Sequence, residues 1–390
     1  MGNFVKFFTV ILLAGALLLS SGLMNAAPAH ADQLADAIAQ TPQGTEPGQI
    51  NPKAEPGFLG IPGAPNPSVI AGFFWAIWVG WIFSTVGAFG GIMSGVGHIT
   101  IFGLANYGKA FKKTSPVLSK LIVDSIRVSN QWMVGLSAAV SSLNYYKMGR
   151  LVLPLGIALA IGSVGGSILI PLLTAGKVSL KAYLGYFGLI VFIIGGFLFY
   201  ETTPKGQKGK KAAKNSAKAF EDSHIKGKET VSIDAEDKGV QVIKWGLGKV
   251  IFTFYGVEFS FRPIIPILGG FFIAGMASFL GIGGGFLFVP FLTSVAGLPM
   301  FLVAGTSALT VLIGMIISIF TYMVVKGVTI HWSLVGFELL GIFVGSMIGP
   351  RTSKYIPDIW LKRLFVVLAL YVGLRYTSKG FFGFSVVPPF

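Results

Sequence analysis

The chain has no cysteine among its 390 residues, only 4 histidines, and 15 acidic residues against 30 lysines and arginines. Each shortage removes a class of chemistry. Without thiols there are no disulfides, no thiol nucleophile and no cysteine-ligated metal, although the redox compartment stays open. The acidic residues nowhere form a dense cluster, and both H-E-x-x-H and G-x-S-x-G are missing, so a hydrolase has no visible catalytic set. Charge of either sign is scarce: 12% of residues are charged, 53% are hydrophobic and the mean hydropathy is +0.75. A soluble domain of this length does not carry that balance.

In place of charge the chain has long apolar sequence. Runs of about twenty residues recur from Val69 onward, each long enough to cross roughly 30 Å of hydrocarbon as a helix. This predicts an all-α, polytopic integral membrane protein with the lipid bilayer as its first partner. The formal net charge of +15 does not point to nucleic acid. Much of the lysine falls in one hydrophilic stretch, Lys205 to Lys249, without aromatic interleaving or a nucleic-acid motif. A cytoplasmic loop beside anionic lipid headgroups accounts for it, and its Lys-Lys and Lys-Gly runs read as disordered.

Residues 1–31 read as a signal peptide: Lys6, the apolar run Phe7 to Leu19, and Ala29-His30-Ala31 in the A-x-A pattern of a cleavage site, an uncleaved signal anchor being the alternative. Residues 32–68 contain Pro42, Pro47, Pro52, Pro56, Pro62, Pro65 and Pro67 among small polar residues, which predicts a flexible Pro-rich extracytoplasmic tail. Two apolar halves follow, 69–200 and 250–390, around the basic cytoplasmic loop 201–249.

The halves share an ordered set of features. Ser307 stands about twenty residues before Gly327, as Ser129 stands before Gly149. Gly87-Ala88-Phe89-Gly90-Gly91 sits where the second half has Gly281-Ile282-Gly283-Gly284-Gly285. Gly162, Gly165 and Gly166 answer Gly341, Gly345 and Gly349, small residues at helical spacing that let helices approach closely. Two related helical repeats are the expectation.

Residues 281 to 292, G-I-G-G-G-F-L-F-V-P-F-L, set glycines and Pro290 inside an apolar stretch where a regular helix would exclude them. Bare backbone survives in a bilayer only where it is buried in protein or lines a wet cavity, so the segment marks a candidate substrate pathway. With the following G-L-P, V-A-G-T-S and K-G-V, it resembles the sulfite exporter TauE/SafE family of anion permeases, most closely in the second half. The resemblance implies two related halves whose glycine-rich and G-T-S segments meet near the middle of the protein. It also implies transport of sulfite, sulfonates or related small sulfur-containing anions. The first half departs from the pattern: it lacks an equivalent of Pro290, has Asp124-Ser125-Ile126-Arg127-Val128-Ser129 in place of V-A-G-T-S, and inserts a basic stretch from Lys109 to Lys120.

The residue chemistry points the same way. A small oxyanion that sheds water needs replacement donors of modest charge, or release becomes too slow. Helix N-termini and glycine amides supply them. The predicted substrate contacts are Gly281, Gly283, Gly284, Gly285, Thr306 and Ser307, with the first-half counterparts Gly90, Gly91, Arg127, Ser129, Asn130 and Gln131. Arg127 offers bidentate hydrogen bonds to an oxyanion, or else pairs locally with Asp124. Glu338 falls within a span, where a carboxylate must be paired, protonated or facing a cavity; proton coupling and a structural hydrogen bond are its two readings. His98 and His331 read as interfacial. A dinucleotide fold or a P-loop does not fit the glycines, because Phe286-Leu287-Phe288 follows them, and no cofactor is called for.

If the processed N-terminus is outside and the basic loop inside, each half crosses an odd number of times, which makes the repeats inverted and suits alternating access in a cytoplasmic (inner) membrane. Lys109 to Lys120 would then lie outside, against the positive-inside rule. A passive anion channel and a non-transporting assembly or sensor subunit are the competing functions.

Overall fold

The computed structural model describes residues 33–87, 93–95, 97–174, 180–206, 211–224, 239–280 and 285–387. The proposed signal peptide lies outside them. A short helix α1 (residues 33–39) precedes α2 (Val69–Val86), α3 (Leu104–Ala110), α4 (Pro116–Lys147), α5 (Leu153–Thr174) and α6 (Leu180–Glu201). After α7 (Lys211–His224) come the strands β1 (Val240–Trp245), β2 (Val250–Phe254) and β3 (Val257–Phe261). The chain closes with α8 (Ile264–Leu280), α9 (Gly285–Pro290), α10 (Met300–Phe320), α11 (Trp332–Ser353) and α12 (Asp358–Phe381).

Among the described residues, three helical segments are long and apolar enough to cross a membrane: Val69–Val86, Met300–Val325 and Trp332–Ser353. They are apolar on both faces, as lipid requires. On α2, Ala76, Val79 and Phe83 are buried while Ile70, Phe74 and Trp78 are exposed; on α11, Leu334 and Ile342 face inward while Phe337, Leu340 and Phe343 face outward. Local signals set the ends. The Ser68 hydroxyl accepts the Ala71 amide at the start of α2, Gly87 (φ 79°) closes it, and Pro116 occupies the first turn of α4.

Glycines set the packing. A Cβ added to Gly341 would lie 2.3 Å from the Phe73 carbonyl oxygen, and one on Gly345 2.1 Å from that of Ile77, so α11 runs parallel to α2 at backbone contact. Gly162 and Gly166 hold α5 parallel to α8 in the same way, each 1.8 Å from a carbonyl oxygen, of Ile267 and Phe271 respectively. The predicted close approach at these glycines is therefore met, and each contact joins the two halves. Two further long pairs run antiparallel: Gly135 of α4 meets Met315 of α10, and Gly373 of α12 meets Phe192 of α6.

Two expectations are corrected. Residues 33–68 are packed rather than loose: Ile50, Phe58 and Ile61 join Leu104, Phe111, Leu118 and Ile122 in one hydrophobic cluster. Thr114 Oγ1 donates to the Gly48 carbonyl at 2.7 Å, and the Leu59 amide donates to His331 Nδ1 at 3.1 Å. Enough apolar residues punctuate the prolines to anchor the segment. The chain is also not wholly helical, because β1–β2–β3 form an antiparallel sheet. V-I-F-T-F and V-E-F-S-F alternate on either side of Tyr255-Gly256, whose positive φ values (50° and 73°) turn a tight hairpin. The buried side of that sheet meets α7, where Phe220 stacks on Phe254 at 6.0 Å. The described part of the basic loop is thus folded.

Candidate functional site

A seam of polar side chains runs between the parallel helices α4 and α11. At one end His98, in a π-helical turn (Gly97–Ile101), is 1% exposed. Its Nδ1 lies 2.6 Å from Asn130 Oδ1, and its Nε2 lies 3.0 Å from both oxygens of Glu338, which is wholly buried. Two turns on, Ser137 and Ser346 share a hydrogen bond of 2.7 Å; two turns further, the Tyr145 and Ser353 hydroxyls lie 3.1 Å apart. From Asn130 to Tyr145 the rungs span about 22 Å at 1.5 Å per helical residue, most of a hydrocarbon core of roughly 30 Å. Beside them the side-chain oxygens of Thr85, Gln131, Ser141 and Ser142 are buried without a hydrogen-bond partner among the described residues. Each such orphan costs about 1–3 kcal/mol, and membrane cores carry polar groups chiefly along ion and substrate paths.

Toward the loop side, the break after α2 meets the G-T-S segment of the other half. Gly87 has φ 79° and ψ 124°, and a Cβ there would lie 2.8 Å from Ser307 Oγ and 3.3 Å from a methyl of Val289. Thr306 Oγ1 donates to the Leu302 carbonyl at 2.7 Å and accepts the Val152 amide at 3.1 Å; Ser307 Oγ bonds the Ala304 carbonyl at 3.2 Å. Gly285 is the buried first residue of α9. Gly281, Gly283, Gly284, Gly90 and Gly91 lie outside the described residues.

The structure divides the remaining predicted contacts. Asn130 joins His98 and Glu338, so His98 is a buried partner and not interfacial. Arg127 is held locally: Nη1 donates to Asp124 Oδ1 at 2.7 Å and to the Tyr322 hydroxyl at 2.8 Å. Ser129 donates back to the Ser125 carbonyl at 2.9 Å. Because α4 and α10 are antiparallel, the neighbour of the G-T-S segment is Tyr145, whose Cβ lies 2.6 Å from a Cβ placed on Gly305. Arg127 sits near the opposite end of the pair, about 27 Å along α4.

Sequence reasoning misplaced His98 and missed Ser137, Ser141 and Ser142 of α4 and Arg150. The serines had a signal, since Asn130, Ser137 and Tyr145 recur every second turn on one face. Arg150 closes the loop side of the seam. It is 1% exposed, donates to the carbonyls of Phe301 and Pro350 at 3.1 and 3.3 Å and to Ser353 Oγ at 3.3 Å, and lies against the rings of Tyr145, Phe220 and Phe301. There the ends of α2, α4, α6 and α11 meet the beginnings of α5, α10 and α12. Tyr145 OH donates to the Ser84 carbonyl at 2.5 Å, Lys362 Nζ to Glu201 Oε2 at 3.2 Å, and the Met300 amide to Asp358 Oδ1 at 2.5 Å.

The chain is 32% identical over 131 residues to a protein of Methanocaldococcus jannaschii named as a probable membrane transporter; the match covers 32% of this chain and 48% of the relative, about half its length. No solved structure matches. Residues 73–376 match the family described as Sulfite exporter TauE/SafE. A match running from within α2 almost to the end of α12 places this membrane protein, with its polar seam, in the TauE/SafE family.

Proposed function

We propose that this chain is a permease for a small sulfur oxyanion, sulfite or a sulfonate, working by alternating access between two inverted repeats in the cytoplasmic membrane. The observation that carries the reading is the buried polar seam between α4 and α11, together with the unpaired buried hydroxyls of Thr85, Ser141 and Ser142 and the Gly87–Ser307 contact. Neutral donors of this kind replace an oxyanion's hydration without binding it too tightly to release. The residues we put on the substrate are Thr306, Ser307, Gly285 and the amides of both glycine tracts, with Gln131 and Asn130 further along the path. His98 and Glu338 take the coupling proton.

Inversion is supported by the helix directions. α2, α4 and α6 end on the side where α8, α10 and α12 begin, and α5 runs opposite to α11. This is the relation expected when 69–200 and 250–390 are repeats turned over in the membrane. The excess of lysine in 201–249 then sets the loop in the cytoplasm and residues 32–68 outside.

The test is flux in proteoliposomes over a panel of sulfite, sulfate, thiosulfate, sulfoacetate, phosphate and chloride. A permease gives saturable uptake and counterflow of one sulfur anion. Non-saturating flux without counterflow would mean a passive channel, and no flux for any anion would mean a non-transporting subunit.

A further inference from the structure

The turn between β1 and β2 carries apolar side chains that nothing among the described residues covers. Leu247 is 98% exposed, Trp245 58% and Ile243 63%. Every residue of β1 after Val240 is exposed, and Ile243 falls where the β1–β2 register shifts, a bulge that leaves it outside the pairing. Basic residues flank the patch at Lys244, Lys249 and Arg262. For water this is a poor surface, since Trp and Leu stand together at the tip of a hairpin.

The register fixes where the tip stands. Trp245 pairs with Val250, and Val250 with Phe261. The turn therefore lies at the end of the sheet from which Arg262 and Pro263 lead into α8. That helix exposes Ile264, Ile265 and Leu268 from its first turns, as a helix entering lipid does. The tip therefore stands at the same end of the sheet as the first turns of α8. A Trp, a Leu and an Ile framed by lysines match the interface, where aromatic rings sit among headgroups and basic side chains meet phosphates.

We infer that the β1–β2 turn is a membrane-interface anchor: Trp245, Leu247 and Ile243 insert among the headgroups of the leaflet that α8 enters, and Lys244, Lys249 and Arg262 bind anionic lipid phosphates. The anchor ties the sheet, and with it α7, to the bilayer surface. It is independent of which solute is carried.

Because the chain has no cysteine, Leu247→Cys and, as a control on the exposed face of β3, Glu258→Cys each accept a single nitroxide label in the full-length protein. Both sites are exposed, so the fold tolerates them. Reconstituted in phosphatidylglycerol-rich bilayers, the label at 247 is expected to collide with oxygen more than with a water-soluble nickel chelate, at a depth of about 5–10 Å, while the label at 258 stays open to nickel. Replacing phosphatidylglycerol by phosphatidylcholine, or combining Lys244→Gln, Lys249→Gln and Arg262→Gln, should lift the label toward water. A label at 247 as open to nickel as that at 258 overturns the proposal, as does one shielded from both probes, which would mean a protein partner. An unchanged depth in phosphatidylcholine overturns the role of the three basic residues.

Discussion

Glu338→Gln separates a coupling carboxylate from a structural one. The side chain is wholly buried, and its oxygens lie 3.0 Å from His98 Nε2. Gln keeps the shape and one hydrogen bond but holds no titratable proton. A charge-assisted bond contributes about 1.5–3 kcal/mol and a neutral one about 0.5–1.5, so the change costs about 1–2 kcal/mol, small enough for the protein to fold. Glu338→Leu leaves His98 Nε2 without its partner, for which breaking a buried pair costs about 3–5 kcal/mol. The assay compares two modes in proteoliposomes: sulfite accumulation driven by a pH gradient, and counterflow without one. In Glu338→Gln the driven mode should fall by about tenfold or more, the effect of 1.4 kcal/mol on a barrier, while counterflow persists because exchange needs no net proton movement. His98→Gln should behave alike. Wild-type accumulation by Glu338→Gln would refute the coupling role, and equal loss of both modes would mean that the pair only holds the helices.

Three further outcomes follow from the geometry. Gly87→Ala forces a side chain into a backbone with φ 79° and ψ 124° and against Ser307 Oγ, about 1–3 kcal/mol of strain; counterflow should collapse with membrane insertion intact, while Gly336→Ala, which meets nothing within 4 Å, serves as the unaffected control. Arg150→Lys cannot reach both carbonyls and Ser353 at once, so thermal unfolding in detergent should lose about 2–4 kcal/mol of stability, and an unchanged transition refutes the clamp. Burial pulls the His331 pKa below its ordinary value of 6.5, and its Nδ1 accepts the Leu59 amide only when unprotonated. A base with a lowered folded pKa contributes stability that is complete above the unfolded value and is lost as the pH falls through the folded one. Protection of residues 33–68 from limited proteolysis should accordingly hold at neutral pH and decline in acid; a pH-independent cleavage rate contradicts this.

The sequence was most readable where one residue carries its own signal. Gly341, Gly345, Gly162 and Gly166 announced close helix contacts through spacing alone, and the apolar runs announced lipid. What escaped depended on partners far along the chain. His98 looked interfacial beside a glycine break because Asn130 and Glu338 stand 32 and 240 residues away. Arg127 had a substrate reading and a local one, and Asp124, three residues earlier, holds it. In residues 33–68 the prolines hid Ile50, Phe58 and Ile61, whose burial needs α3 and α4 to be present. The sheet was legible in the alternation around Tyr255-Gly256, but the lysines before it suggested disorder.

The exchange of partners between halves reaches into biogenesis. α2 waits for α11 and α5 waits for α8, so the glycine-lined backbone of the earlier helices has no mate until much later sequence has left the ribosome. Half a molecule has nowhere to hide that backbone. A chain severed within the basic loop should yield two fragments that are each degraded when expressed alone yet protect one another when made together.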